Sequence, residues 1–337
     1  MSALHDIAET LVAGKRGLLA ADESDSTIKK RFDSVSLESN EENRRLYREL
    51  LFSTPGIEEY VSGIILFDET IRQRTHAGIP FPEFLSQRGI IPGIKVDKGT
   101  VELTNFPNEK VTEGLDGLAA RLTEYKSLGA KFAKWRAVIT IGENMPTQAC
   151  IDSNCYLLAR YAALCQAQEV VPIVEPEVLM DGNHPIEKCR EVTYTTLKTL
   201  FSELSKYKID FSGLLLKPNM VLPGKEFGSK ATPEVVAEHT VKILAEVVPD
   251  EVPGVVFLSG GQSPEEATLN LQQINAYSQM KWRLTFSYSR AIQEPVLHAW
   301  AGKKENQEEA QKVFLKRAKL ASLASVGQYN PSMETAA

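Results

Sequence analysis

Lys131-Phe-Ala-Lys-Trp-Arg-Ala-Val138 and Val170-Val-Pro-Ile-Val-Glu175 are two short, mostly apolar runs, and the segment between them, Thr147–Gln168, is long and helix-forming. Continuous rather than alternating apolar runs are what strands covered on both faces require, and a helix joining one such run to the next makes the strands parallel. The same unit recurs outward in both directions. Gly17–Asp22, Val61–Asp68 and Ile90–Val96 read as strands on the N-terminal side, and Gly213–Lys217, Val255–Ser259 and Trp282–Ser287 on the C-terminal side. Helix candidates include Glu41–Phe52, Asp116–Leu128, Ile186–Tyr207, Pro233–Val247 and Pro264–Gln279. Eight strand–helix units without a Pro/Ser-rich linker or a break in composition predict one α/β domain, a (β/α)8 TIM barrel, rather than two doubly wound domains.

The chain of 337 residues is long enough for one such barrel with extra helices at both ends. Leu4, Ile7, Ala8, Leu11 and Val12 fall on one helical face, so the N-terminus is expected to be a docking helix rather than a signal or transit peptide. The domain is expected over 1–330, followed by a small, polar, mobile tail at 331–337. With 43% hydrophobic and 24% charged residues, disordered and collagen-like classes are excluded. The longest apolar runs, such as 63–67 and 170–174, are far short of the ~20 residues of a membrane-spanning helix, so no membrane association is expected.

A balance of 38 basic to 44 acidic residues, net −6, argues against nucleic acid or an anionic membrane as partner. Cys150, Cys155, Cys165 and Cys189 lack Cys-x-x-Cys spacing and read as reduced thiols of a cytoplasmic protein. His5, His76, His184, His239 and His298 share no spacing that would build a metal site, so neither metal nor other cofactor is expected.

In a barrel of this kind chemistry belongs at the carboxyl ends of the strands. There the runs end in Asp22-Glu-Ser24, Lys95, Lys134-Trp-Arg136, Glu175-Pro-Glu177, Lys217-Pro218, Ser259-Gly-Gly261 and Ser287-Tyr-Ser-Arg290. Residues two apart on a strand share a face, which pairs Lys134 with Arg136, Glu175 with Glu177, and Leu215 with Lys217. Glu175 and Lys217 each precede a proline and are biased towards extended backbone. Taken singly, a strand-end lysine is ordinarily a snorkelling surface cation, and a carboxylate pair an exposed edge. Their joint placement at one end of successive apolar strands is what a solvated surface does not require.

Five cations (Lys95, Lys134, Arg136, Lys217 and Arg290) against three acids (Asp22, Glu175 and Glu177) would make a positive mouth on a negative chain, which suits an anionic substrate. The glycines of Ser259-Gly-Gly-Gln-Ser-Pro-Glu-Glu266 let backbone N–H groups approach an anion, and Ser263, Pro264 and Glu266 match an N-cap, a first-turn proline and a capping-box acid. This loop and Ser287–Arg290 follow the seventh and eighth strands, where barrels often hold phosphate. A desolvated lysine among other cations becomes a neutral nucleophile that condenses with a ketone to a Schiff base, an electron sink for a carbanion on the next carbon. Lys217, with Lys134, Arg136 and Lys95 as expected neighbours, is the candidate. Glu175, Glu177 and Asp22 would move the protons.

Nine runs, among them Ala21-Asp-Glu-Ser24, Lys134-Trp-Arg136, Val174-Glu-Pro-Glu177, Leu215-Leu-Lys-Pro-Asn-Met220, Leu258-Ser-Gly-Gly-Gln-Ser263 and Phe286-Ser-Tyr-Ser-Arg290, resemble class I fructose-1,6-bisphosphate aldolase, in order and over nearly the whole chain. The resemblance implies a cytoplasmic, metal-free, homotetrameric lyase of glycolysis and gluconeogenesis. It would cleave fructose 1,6-bisphosphate reversibly to dihydroxyacetone phosphate and glyceraldehyde 3-phosphate. It further implies that Lys217 forms the Schiff base, that Glu175 is the acid/base on the carbinolamine, and that Asp22 takes the C4 hydroxyl proton. Lys134 would tune the site and Glu177 support it. One phosphate would sit on Ser259, Gly260, Gly261 and Arg290 with Ser287 and Ser289 nearby, the other near Ser24, Arg31 and Lys95, with Arg136 also lining the substrate.

The chain departs from the pattern in three places. Ser289 stands where the family commonly has glycine, so a positive φ there would force a different loop. Asp25 replaces a common threonine close to a phosphate site. Many members carry a terminal tyrosine that assists proton exchange on the enamine, whereas the last tyrosine here is Tyr329. The alternatives to be separated are another Schiff-base sugar-phosphate barrel of the transaldolase type, a metal-dependent enzyme, and a non-catalytic scaffold.

Overall fold

The computed structural model describes residues 3–277 and 280–335. Eight parallel strands close into a barrel: β1 (Gly17–Ala21), β2 (Val61–Leu66), β3 (Ile91–Lys95), β6 (Phe132–Ile139), β7 (Val171–Val178), β8 (Leu215–Leu216), β9 (Gly254–Phe257) and β10 (Arg283–Tyr288). Between β3 and β6, β4 (Thr100–Glu102) and β5 (Lys110–Thr112) form a small antiparallel hairpin that the apolar-run reading did not foresee, because its strands are three residues long and polar. The helices are α1 (Ala3–Val12), α2 (Asp25–Asp33), α3 (Glu41–Phe52), α4 (Asp68–Arg72), α5 (Phe81–Gln87), α6 (Leu118–Ser127), α7 (Gln148–Ala167), α8 (Ile186–Lys206), α9 (Pro233–Val247), α10 (Pro264–Tyr277), α11 (Arg290–Trp300) and α12 (Gln307–Ala324). The helix expected to reach Gln279 is described to Tyr277; Gln279 lies outside the described residues.

All eight expected strands are present, with two informative shifts. β7 runs three residues past Glu175 and takes Glu177 into the sheet, while β8 is only Leu215–Leu216. The ladder nevertheless continues through Lys217, whose N–H donates to Val174 O at 2.8 Å, before Pro218 removes the next donor. Alternation divides every strand into an inward and an outward column. Leu18, Ala20, Ile65, Phe132, Val171, Ile173, Leu215 and Val256 face inward as one apolar cluster, and Trp135, Val174, Leu216, Phe257 and Phe286 face the helices.

The N-terminal helix docks as expected. Ala8, Leu11 and Val12 of α1 belong to the inward cluster and seal the amino end of the barrel. Its close approach needs glycine: a Cβ on Gly63 would stand 2.6 Å from Leu11 Cδ2, and one on Gly254 2.6 Å from Val12 Cγ1. The segment expected beyond the domain is built onto it as far as Thr335. Pro331–Glu334 form a 3-10 turn, and Glu334 accepts from Arg317 Nη1 at 2.5 Å and Tyr329 OH at 3.0 Å. Arg317 is buried, so a carboxylate is needed beside it; Ala336 and Ala337 lie outside the described residues.

Candidate functional site

The inward columns that begin apolar end charged. Continuing the parity of Leu18 and Ala20 gives Asp22; Phe132 leads to Lys134 and Arg136; Val171 and Ile173 lead to Glu175 and Glu177; Leu215 leads to Lys217. Trp135, between two cations in the sequence, is fully buried on the outer side against Tyr161. These side chains open into a cavity of about 1180 Å³ at the carboxyl end of the barrel. Every residue expected to act on or bind the substrate lines it except Gly261, which stands one residue beyond its edge.

At its floor Lys134, Glu175 and Lys217 are each only 3% exposed. Glu175 spans the two lysines: Oε1 is 3.2 Å from Lys217 Nζ and Oε2 is 3.1 Å from Lys134 Nζ. Lys134 Nζ also lies 2.7 Å from Asp22 Oδ2. Burial alone would raise the Asp22 carboxyl, but the ammonium groups of Lys134 and Lys217 outweigh it and hold the group well below the usual carboxylate range. Burial likewise works against the Lys134 ammonium, and Asp22 and Glu175 reverse this and push it up.

The cations expected as neighbours of Lys217 are each paired with an acid. Lys134 is held by Asp22 and Glu175, Arg136 by Glu177 (Nε–Oε2 2.6 Å), and Lys95 by Asp97 (Nζ–Oδ1 2.6 Å). Charges withdrawn from water persist only when paired, so the strand-end cations Lys134, Arg136, Lys217 and Lys95 each lie against an acid, Lys134 and Lys217 sharing Glu175. Across the whole lining ten Lys/Arg still exceed seven Asp/Glu, and the mouth is cationic on a chain of net −6.

Two anion-type ends flank this floor. On one, Gly260 (φ 57°) and Gly261 (φ 93°) turn the loop after β9, and Ser263 with Glu266 forms the expected reciprocal cap on α10: Ser263 N–H donates to Glu266 Oε2 and Glu266 N–H to Ser263 Oγ, both at 3.1 Å. Arg290 opens α11 beside them, and Ser287 Oγ, buried on β10, has no hydrogen-bond partner among the described residues. A buried hydroxyl without a partner in a polar cavity is placed to meet a ligand.

On the other end stand Ser24, Arg31 and Lys95. Arg31 is tied to Glu23 and donates from Nη2 to Ser289 Oγ at 3.1 Å. Ser289 in turn donates to Glu23 Oε1 at 2.6 Å. With φ −110° the Ser289 backbone needs no glycine, and its hydroxyl joins the two ends of the site. Asp25 is exposed in the first turn of α2 and does not line the cavity; there an acid suits the helix dipole.

Sequence reasoning missed Asp97, Glu23, Arg48 and Gln293. Asp97 is two residues after Lys95, so the same-face rule that paired Lys134 with Arg136 would have found it. Glu23 follows the end of β1, where alternation no longer applies, and is buried between Arg31 and Arg48. Burial raises its carboxyl, the two guanidinium groups reverse that, and it is brought down to about 2. Among the described residues no three His, Cys, Asp or Glu side chains cluster so as to hold a metal ion, and no helix is long and apolar enough to cross a membrane.

Known proteins resemble this chain over nearly its whole length. The family model for class-I fructose-bisphosphate aldolase matches residues 3–337. Cytosolic fructose-bisphosphate aldolase 4 of Arabidopsis thaliana is 56% identical over 93% of this chain and 80% of its own length. The probable class 1 enzyme of Xylella fastidiosa is 53% identical over 97% of this chain and 98% of its own. Among solved structures, fructose-bisphosphate aldolase of Plasmodium falciparum, in complex with TRAP and a small-molecule inhibitor, superposes with a TM-score of 0.96 at 51% identity, covering 97% of this chain and 95% of that one. With the whole length matched and the strand-end charges converging on one cavity, the chain belongs to the class-I fructose-bisphosphate aldolase family.

Proposed function

We propose that the chain reversibly cleaves fructose 1,6-bisphosphate to dihydroxyacetone phosphate and glyceraldehyde 3-phosphate through a Schiff base on Lys217. The observation that carries this reading is Glu175 spanning Lys217 and Lys134 on the floor of a cationic cavity. Lys217 gives one proton to Glu175, 3.2 Å away, and adds as the amine to the C2 ketone; a second proton passes from the nitrogen to the new oxygen to give the carbinolamine. Glu175 returns the first proton to that hydroxyl, which leaves as water, and the protonated iminium remains.

Asp22 takes the C4 hydroxyl proton as the C3–C4 bond breaks; the bonding electrons pass to C3 and into the iminium, leaving the enamine and the free aldehyde. A carboxylate held ionised by Lys134 is a weak base, so the substrate hydroxyl must draw Asp22 partly away from that ammonium before the transfer. Protonation at C3 and hydrolysis return Lys217 and release the ketose phosphate. β9 lies beside β8, so the phosphate next to the Schiff-base carbon belongs to Ser259–Gly261, Ser287 and Arg290. The aldehyde end belongs to Ser24, Arg31 and Lys95, across the barrel. Arg136 and Glu177 hold each other at the rim.

Incubation of the protein with dihydroxyacetone phosphate and sodium borohydride, with and without a chelator, tests this. A stable, chelator-insensitive mass increment on the Lys217 peptide is expected. Binding without an adduct, or labelling of another lysine, would overturn the assignment. Relatives named as cytosolic support a cytoplasmic location. Family membership supports a homotetramer, and we retain 1–330 as the barrel domain.

A further inference from the structure

Lys225 lies on the chain that leaves β8. That chain is laced to the exit of β7: Gly224 N–H donates to His184 O at 2.8 Å, Lys225 N–H to Met180 O at 2.8 Å and Glu226 N–H to Gly182 O at 3.0 Å. Gly224 is seated so closely that a Cβ there would lie 2.1 Å from the Gly182 carbonyl oxygen. The backbone of Lys225 is thereby fixed just outside the cavity, whose lining on this side stops at Gly260. Its ammonium lies 3.0 Å from Asp181 Oδ1 and also reaches the glycine loop after β9. The position a Cβ would take on Gly261 is 2.8 Å from Lys225 Nζ and 3.2 Å from Arg290 Nη2. Two cations from different strand ends therefore converge over the one face of Gly261 that carries no side chain. Among the described residues Lys225 has an acid partner in Asp181, and Arg290 makes no ion pair.

A phosphate monoester carries between one and two negative charges near neutral pH, more than one guanidinium balances. We propose that Lys225 is a second cationic contact to the phosphate seated on Ser259–Gly261 and Arg290, and that Asp181 is its competitor, holding the ammonium until the ketose phosphate arrives. This rests on the aldolase reading of Lys217 and extends it to a residue that the sequence motifs did not mark. Because Lys225 and Asp181 are on opposite sides of one exchange, removing each has the opposite effect on phosphate affinity. A merely structural ion pair would weaken the site in both variants or in neither.

The test titrates dihydroxyacetone phosphate in the borohydride labelling of Lys217, using the full chain, Lys225→Met and Asp181→Asn. Both positions are solvent-accessible, so both variants are expected to fold. The concentration for half-maximal labelling should rise about fivefold in Lys225→Met and fall about twofold in Asp181→Asn, with full labelling reached in both. Inorganic phosphate should protect Lys217 less well in the first and better in the second. Unchanged half-saturation in both variants, or a rise in both, with Lys217 still labelled, would overturn the role of Lys225 and leave the Schiff-base reading intact. Absence of labelling in the unaltered chain would sink the Schiff-base reading itself.

Discussion

The two halves of the barrel interior are built from the same strands and obey different physics. Below, Leu18, Ile65, Phe132, Ile173, Leu215 and Val256 interdigitate and α1 closes the end with Leu11 and Val12, so stability there is burial of apolar surface. Above, within two residues along the same columns, Asp22, Lys134, Glu175 and Lys217 are also buried, and they are ionisable. Burying an ion costs several kcal/mol, offset only by an opposite charge within contact. The lower half tolerates repacking of similar volume, whereas in the upper half removing one partner strands the others. That difference separates a scaffold from a site within a single sheet.

The sharpest way to break the comparison is Lys134→Met. It keeps the shape and leaves Asp22 and Glu175 buried without their shared cation. Cleavage of fructose 1,6-bisphosphate should fall about 10²- to 10³-fold in kcat, and chemical denaturation should show a loss of about 3–5 kcal/mol. A variant as stable as the parent would mean that the upper half does not depend on pairing. Leu11→Ala is the counterpart below. It opens a cavity against Gly63 and should cost about 3 kcal/mol in the same denaturation, while kcat and KM stay within about twofold. A selective loss of kcat there would show that the halves are coupled through the strands.

The apolar half was legible because eight short runs and their connecting helices are a property of the chain itself. The charged half was legible where alternation reached: Lys134 with Arg136 and Glu175 with Glu177 point inward together as the period of two requires. What escaped lay past the strand ends or on partners far along the chain. The pairing of Glu23 with Arg48 and with Gln293, at 2.5 Å and 2.8 Å, joins β1 to α3 and α11, and no local spacing announces it. The compensation of Lys95 by Asp97 was within reach of the same-face rule, since Val96 alone separates them. Lys225 carries no motif at all; only the lacing of two loops brings it over Gly261.

Acid separates the halves without any substitution, because protons reach carboxylates and leave leucines unaffected. Glu23 falls from an ordinary value of 4.5 to about 2 on folding. A depressed carboxyl contributes stability that is fully present above its unfolded value and is lost as pH falls through its folded one, so its window runs from about pH 4.5 down to about pH 2. Between pH 4.5 and pH 3 this one group accounts for a loss of about 2 kcal/mol. Asp22, shifted in the same direction, adds to it. Denaturation curves at several pH values should therefore steepen across this window in the parent chain. Glu23→Gln, which keeps the shape and removes the titration, should start less stable at pH 7 and lose about 2 kcal/mol less on the way to pH 3. If parent and variant decline in parallel, the guanidinium pair does not hold Glu23 ionised, and the charged half of the barrel owes its order to packing after all.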